Sequence, residues 1–250
     1  MRKVKAIVTL ALAVFISTTL VNAEIHSESE RKATLLEGVD VSHHNGQVDW
    51  VKVAQDGKVF VFVKATDGLD WADPMYLDNF TRLKKAGLIR GAYHFYQTND
   101  DGKAQALWFI KNVILEPGDL PPAVDIEKIK KPLAGDVHKN FEVFVNTLEA
   151  HYRVRPIIYT GKNFWEHAMQ EHFPRFQLWI AQYEVEKPTL PSAWKAWTFW
   201  QYSEKLKVAG ADKLLDGNYF QGSQQDLARL LLPHQKSAAK GSQKSKSSAF

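Results

Sequence analysis

With 250 residues, 45% hydrophobic and 12% aromatic, the chain can bury one large core, and its lack of cysteine excludes disulfides, thiol nucleophiles and cysteine-held metal. The formal charge of +4 is misleading: three of the 32 basic groups fall in residues 1–23 and four in 236–250, which leaves 25 basic against 28 acidic groups on the body. A slightly acidic body excludes the basic face that a nucleic-acid binder carries on its folded domain.

Arg2, Lys3 and Lys5 precede an apolar run from Ala6 to Leu20, and Val21-Asn22-Ala23 supplies the short residues a signal peptidase reads. Residues 1–23 are therefore expected to be a signal peptide and the mature protein to be exported, periplasmic or secreted. An uncleaved anchor is the alternative, although the run falls short of the roughly 20 residues of a membrane span. Polar residues 24–34 read as a flexible lead-in.

From Leu35 onward, short apolar runs alternate with helical patterns. Strands are expected at Leu36–Ser42, Val59–Thr66, Ile89–Tyr96, Pro122–Glu127, Pro156–Thr160, Gln177–Gln182 and Thr198–Tyr202, with a weaker one near Lys213–Asp216. Asp73 with Pro74 predicts a helix start, Leu77, Phe80 and Leu83 its buried face, and Gly87 its end. A second helix is predicted over Gly102–Leu115. A third starts at Asp136, with Phe141, Phe144, Val145 and Leu148 on one side. Strands alternating with helices over about five units predict an α/β fold, and no Gly-rich phosphate loop follows the first strand. The expected architecture is an irregular, TIM-like β/α barrel over residues 35–233, closing in β-strands. The Ser/Lys/Ala/Gln-rich residues 234–250 have nothing to bury and are expected to be a disordered basic tail, able to contact an anionic envelope or merely to solubilise the end.

Three of the strand-like runs are expected to end in acid: at Asp40, at Asp125-Ile126-Glu127, and at Asp216. A carboxylate inside an apolar strand is costly unless paired or functional, and the C-terminal ends of barrel strands are where catalytic groups lie. Asp125 and Glu127 are two apart, so both leave the same strand face, with Cβ atoms roughly 6.6 Å apart along it. Carboxylates held side by side push one pKa upward. Glycoside hydrolysis needs that combination of a protonated acid and an ionised partner. The same Asp-x-Glu pattern also serves metal ligation and salt bridges. Eight Trp and eight Tyr suit sugar-binding faces, although core packing accounts for most of them.

The run Gly38-Val39-Asp40-Val41-Ser42-His43-His44-Asn45-Gly46 with Val48-Asp49-Trp50 resembles the opening signature of glycoside hydrolase family 25, the Chalaropsis-type lysozymes. The resemblance continues in order through Phe62–Gly68, Asp73-Pro74, Ala86–Leu88, Gly91–Phe95, Pro121–Glu127, Ile158–Thr160, Leu178–Ala181, Trp200–Ser203 and Asp216–Asn218, nearly the whole body. It implies a flattened barrel of five β/α units followed by β-structure. It also implies cleavage of the β-1,4 bond between N-acetylmuramic acid and N-acetylglucosamine in peptidoglycan, without a cofactor. By the same resemblance Glu127 is the general acid and then base, and Asp125 assists the substrate's 2-acetamido group. Asp40 and Asp216 shape the field on the opposite side, unless one of them attacks directly. Two positions depart from the family pattern: His44 stands where an aromatic is common, and Asp67 where Glu is frequent.

Lys64, ending a strand run, is expected to pair with Asp40. Tyr93, Tyr159 and Trp179 are candidate sugar contacts, with core packing as the alternative. His43 and His44 beside Asp40, with His94, raise a second reading, a metal-dependent polysaccharide deacetylase. Adjacent histidines on a strand point to opposite faces, which favours a site without metal. A third reading is a non-catalytic peptidoglycan-binding barrel. The expected partner is the glycan strand, met by a monomer.

Overall fold

A computed structural model describes residues 35–170 and 172–233. The expected signal peptide, the lead-in and the basic tail lie outside the described residues. Strand β1 (Leu35–Val41) is followed by a 3-10 turn at His43–Asn45, α1 (Trp50–Gln55), β2 (Phe60–Asp67) and a short β3 (Trp71–Ala72). Next come α2 (Tyr76–Lys85), β4 (Ile89–Phe95), α3 (Gly102–Asn112), β5 (Ala123–Asp125), α4 (Val137–Tyr152), β6 (Ile157–Gly161) and α5 (Lys162–Ala168). Strands β7 (Gln177–Ala181), β8 (Phe199–Leu206) and β9 (Leu215–Gln221) and helix α6 (Gln224–Leu230) complete the order.

The strands run β1-β9-β8-β7-β6-β5-β4-β2, and β1 also pairs with β2, so the sheet closes into a mixed eight-stranded barrel with β3 hung on β2. The barrel neighbours from β1 through β8 are parallel, β3 is antiparallel to β2, and β9 is antiparallel to both β8 and β1. Alternation along each strand separates two cores. Val39, Val41, Val61, Val63 and Ala65 face outward under α2, α3 and α4, against Leu83, Phe109, Phe141, Phe144, Val145 and Leu148. Phe60, Phe62, Phe199 and Phe220 face inward and plug the lower barrel, with ring centroids of the successive pairs 5.2–6.1 Å apart. Two glycines make room for this plug: a Cβ on Gly38 would come within 2.6 Å of the Phe60 ring, and one on Gly91 within 2.5 Å of Phe62. The polar inward positions are thereby confined to the upper end, where the parallel strands finish.

Several expected boundaries move. Asp73 does not cap α2, which begins two residues beyond Pro74 with no side-chain cap at Met75. The Asp73 carboxylate instead holds the preceding turn, accepting from Met75 N at 2.9 Å and from His43 N at 2.9 Å. With that shift the buried face of α2 becomes Tyr76, Asn79, Phe80 and Leu83, and Leu77 turns to solvent at 74% exposure. Asp136 does cap α4, accepting from His138 N and Lys139 N. The last strand runs Leu215–Gln221 rather than near Lys213–Asp216, so Asp216 opens β9 instead of closing a strand. The antiparallel direction of β9 is the reason this still delivers it to the upper end, opposite Asp40 in the β1–β9 register.

Candidate active site

Each strand contributes inward side chains to the mouth: Asp40 from β1, Lys64 from β2, Tyr93 from β4, Asp125 from β5, Tyr159 from β6, Trp179 from β7, Gln201 from β8, and Asp216 and Asn218 from β9. Glu127 follows two residues after Asp125. The extended course is kept there by Ile126, whose N–H donates to Tyr159 O at 3.1 Å and whose side chain is fully buried behind the barrel wall. Two carboxyl pairs result. Asp125 and Glu127 stand on one side, and Asp40 and Asp216 across the barrel, β9 being four strands from β5 in either direction.

The environments differ. Asp125 is buried, and desolvation, then the Glu127 charge, push its carboxyl well above the usual range, with Lys64 pulling the other way. Its Oδ1 has no hydrogen-bond partner, an unsatisfied buried acceptor facing the mouth. The expected rise from side-by-side carboxylates thus falls on Asp125. Glu127 is less enclosed, its side chain 31% exposed, and its Oε1 lies 3.2 Å from Lys128 Nζ. Asp40 is also pushed up, by burial first and by Asp216 next. Burial and the charge of Glu204 raise Asp216 to about 6. Tyr93 connects the two sides: burial, then the charges of Asp40, Asp125 and Asp216, raise its phenol. Its ring stands edge-on to Trp179 with centroids 6.2 Å apart, and Tyr159 stands edge-on to the same indole at 4.8 Å.

Residues 39–211 match the family model described as glycosyl hydrolases family 25. The chain belongs to that family. Lysozyme M1 of Streptomyces globisporus is 35% identical over 212 residues, spanning 78% of this chain and 70% of that protein. The N,O-diacetylmuramidase of a Chalaropsis species is 26% identical over 203 residues, 73% of this chain and 95% of that one. A bacterial lysozyme from Streptomyces coelicolor has the same fold, with a TM-score of 0.75 and 32% identity over 78% of this chain and 96% of that structure. The protein is thus a glycoside hydrolase.

In this family 25 enzyme one sequence expectation fails. Lys64 does not pair with Asp40; its Nζ binds Asp67 Oδ2 at 2.8 Å and lies over the rings of Phe95 and Trp71, 4.6 and 5.2 Å from their centroids. The β2 register shift between Lys64 and Thr66 is the cause: it turns Asp67, three residues on, to the same side as Lys64. Asp40 is instead met by two amides that sequence reasoning left out of the site. Gln201 Nε2 and Asn218 Nδ2 each donate to Asp40 Oδ2 at 2.7 Å. Their signal was a polar residue at an inward position of an apolar strand, the same signal that marks the acids.

The histidines are engaged elsewhere. His94 is fully buried outside the barrel wall, bonded to Thr66 Oγ1 at 2.7 Å and Gln105 Oε1 at 3.1 Å, and burial lowers it to about 4. His43 Nδ1 lies 2.9 Å from Asp73 Oδ2, with its ring against Trp71. Among the described residues no group of three His, Cys, Asp or Glu side chains is arranged to hold a metal ion.

Proposed function

We infer that this hydrolase is a lysozyme, an N-acetylmuramidase that cleaves the β-1,4 bond between N-acetylmuramic acid and N-acetylglucosamine in peptidoglycan. The observation that carries the reading is the pair of carboxyl groups at and just beyond the end of β5, facing a second pair from β1 and β9 across one barrel mouth. Glu127, the more open of the first pair, protonates the leaving oxygen and then takes a proton from water. Asp125, with its free Oδ1, orients the 2-acetamido group, whose carbonyl oxygen attacks the anomeric carbon. Asp40 and Asp216 supply negative potential on the far side of the oxocarbenium-like transition state. Direct attack by Asp40 is disfavoured, because one of its oxygens already accepts two amide hydrogens. Tyr93, half-buried at the mouth, is the candidate aromatic left to meet the sugar, whereas Tyr159 and Trp179, 8% and 2% exposed, pack in the core behind it and hold the amides of the site. Lys64 steadies the rim beside Asp125. The frame for this chemistry is the family's irregular barrel of five β/α units with a β-rich close, within one catalytic domain over 35–233. The enzyme acts as an exported monomer whose basic tail keeps it near an anionic envelope.

Digestion of purified peptidoglycan followed by mass spectrometry tests the assignment. Muropeptides with N-acetylmuramic acid at the reducing end are expected, at a rate unchanged by EDTA. Reducing-end N-acetylglucosamine, or acetyl loss without new ends and restored by zinc, would overturn it.

A pH dependence follows from Asp216. Burial first, and the Glu204 charge next, push its carboxyl up to about 6, so the charge across from Glu127 is expected to disappear as pH falls through that value. An acid limb of kcat/KM near pH 6 is expected, together with its absence from the residual activity of Asp216→Asn. A limb that persists unmoved in that variant assigns it to another group.

A further inference from the structure

The two amides on Asp40 are themselves held from behind. Trp179 Nε1 donates to Asn218 Oδ1 at 2.7 Å. Because an indole N–H only donates, it fixes the carbonyl side of Asn218 and turns Nδ2 toward Asp40. Tyr159 and Tyr183 converge on Gln201 Oε1 at 2.8 and 2.5 Å, which turns Nε2 toward the same Asp40 oxygen. Gln201 and Asn218 are 3% and 0% exposed, so neither can exchange its partners for water.

We propose that Gln201 and Asn218 are positioning residues that dictate where the Asp40–Asp216 pair keeps its proton: on Asp40 Oδ1, directed at Asp216. A proton on Oδ2 would weaken that oxygen as the acceptor of two N–H donors at 2.7 Å and would point its own O–H among amide nitrogens that cannot accept. Oδ1 is the remaining position, and Asp216 is the residue paired with Asp40 across β1 and β9. The two carboxyls leave the same face of neighbouring antiparallel strands directly opposite one another, so a proton on Asp40 Oδ1 is placed to be donated to Asp216 and to help keep it ionised. The other groups facing the pair cannot do this. Tyr93 on β4, Asp125 on β5 and Tyr159 on β6 face Asp40, Glu204 on β8 faces Asp216, and Tyr183 after β7 faces both; all are acids, and none supplies a positive charge. Lys64 on β2 acts on Asp125 and is bound to Asp67. The amide–indole–phenol frame thus sets the single negative charge on Asp216, a role that rests on the muramidase reading only for its catalytic use.

The test is the carboxyl titration of substrate-free protein labelled with 13C-aspartate, with the Asp216 signal assigned through Asp216→Asn. In wild type, where burial and the Glu204 charge push the Asp216 carboxyl up to about 6, its signal is expected to titrate near that pH. In Asn218→Leu and Gln201→Leu the Asp40 proton is free to move to Oδ2, and Asp216 loses its donor. Its titration, and the acid limb of kcat/KM, are expected to rise by about one pH unit, the worth of one charge-assisted hydrogen bond. KM should stay near wild type while kcat falls. Trp179→Phe, which keeps the stacking on Phe62, should move both in the same direction by less. Folded variants in which the Asp216 titration stays where it is in wild type would overturn the proposal. Should either leucine variant fail to fold, the other and Trp179→Phe decide it by the same measurement. Failure of the muramidase reading would show separately, as wild type releasing no muropeptides while the carboxyl titrations still shift.

Discussion

Glu127→Gln is expected to lower peptidoglycan cleavage by about 10²–10⁴-fold while leaving the barrel and glycan binding intact. The amide matches the carboxyl in size but cannot deliver a proton to the leaving oxygen. The structure makes this a clean substitution. Glu127 lies beyond the end of β5, its side chain partly open to solvent, with Lys128 as its ion partner at 3.2 Å. Exposed pairs of that kind contribute about 0–1 kcal/mol, so the melting temperature should move little. The measurement is muropeptide release against thermal melting and glycan binding of the same preparation. Activity within a few-fold of wild type would remove Glu127 from the acid role, and a collapsed melting transition would point to a structural one.

The sequence made the acids visible because each one interrupts an apolar strand, where a carboxylate is too costly to keep without a reason. Asp40, Asp125 and Asp216 were legible on that ground, even though the direction of the last strand was not. Asp216-x-Asn218 repeats the two-residue spacing of Asp125-x-Glu127, and that spacing could have drawn Asn218 into the site; an amide, however, costs less to bury than a carboxylate, so the same signal is weaker there. Gln201 was hidden in the same way. The Lys64 partner was illegible for a different reason. Strict alternation puts residues three apart on opposite faces, and only the irregularity after Lys64 brings Asp67 round to meet it. Asp73 shows the same limit at a helix start. An Asp followed by Pro fits a cap, but here one oxygen serves the turn at Met75 and the other serves His43, thirty residues back, a partner that no local pattern reports.

Asp125→Asn should separate the two mechanisms open to this site, and should stabilise the protein as it inactivates it. The wild-type carboxyl is buried beside Glu127 with Oδ1 unpartnered, which raises its pKa in the fold. A carboxyl whose folded pKa lies above its ordinary value contributes stability that is complete at low pH and is lost as pH rises through the folded pKa. The neutral amide escapes that loss. The variant is expected to melt about 2–4 °C above wild type at pH 7 for each kcal/mol recovered, with the difference shrinking toward pH 4. Its activity should move the opposite way. If Asp125 orients the acetamido group and balances the charge of the forming oxazolinium, the loss should be steep on N-acetylated glycan. Wild type should then be poor on glycan whose muramic acid has been de-N-acetylated, since the internal nucleophile is gone. Direct attack by Asp40 or Asp216 predicts otherwise: rates little affected by the acetyl group, and a covalent sugar adduct trappable with a fluorinated substrate. Comparing both enzymes on both glycans, with intact-protein mass measured after the trap, distinguishes the two. An adduct on Asp40 or Asp216 with acetyl-independent rates would replace the substrate-assisted route by a nucleophilic one. A variant that lost activity without gaining stability at pH 7 would mean that Asp125 is not held as a strained, desolvated acid.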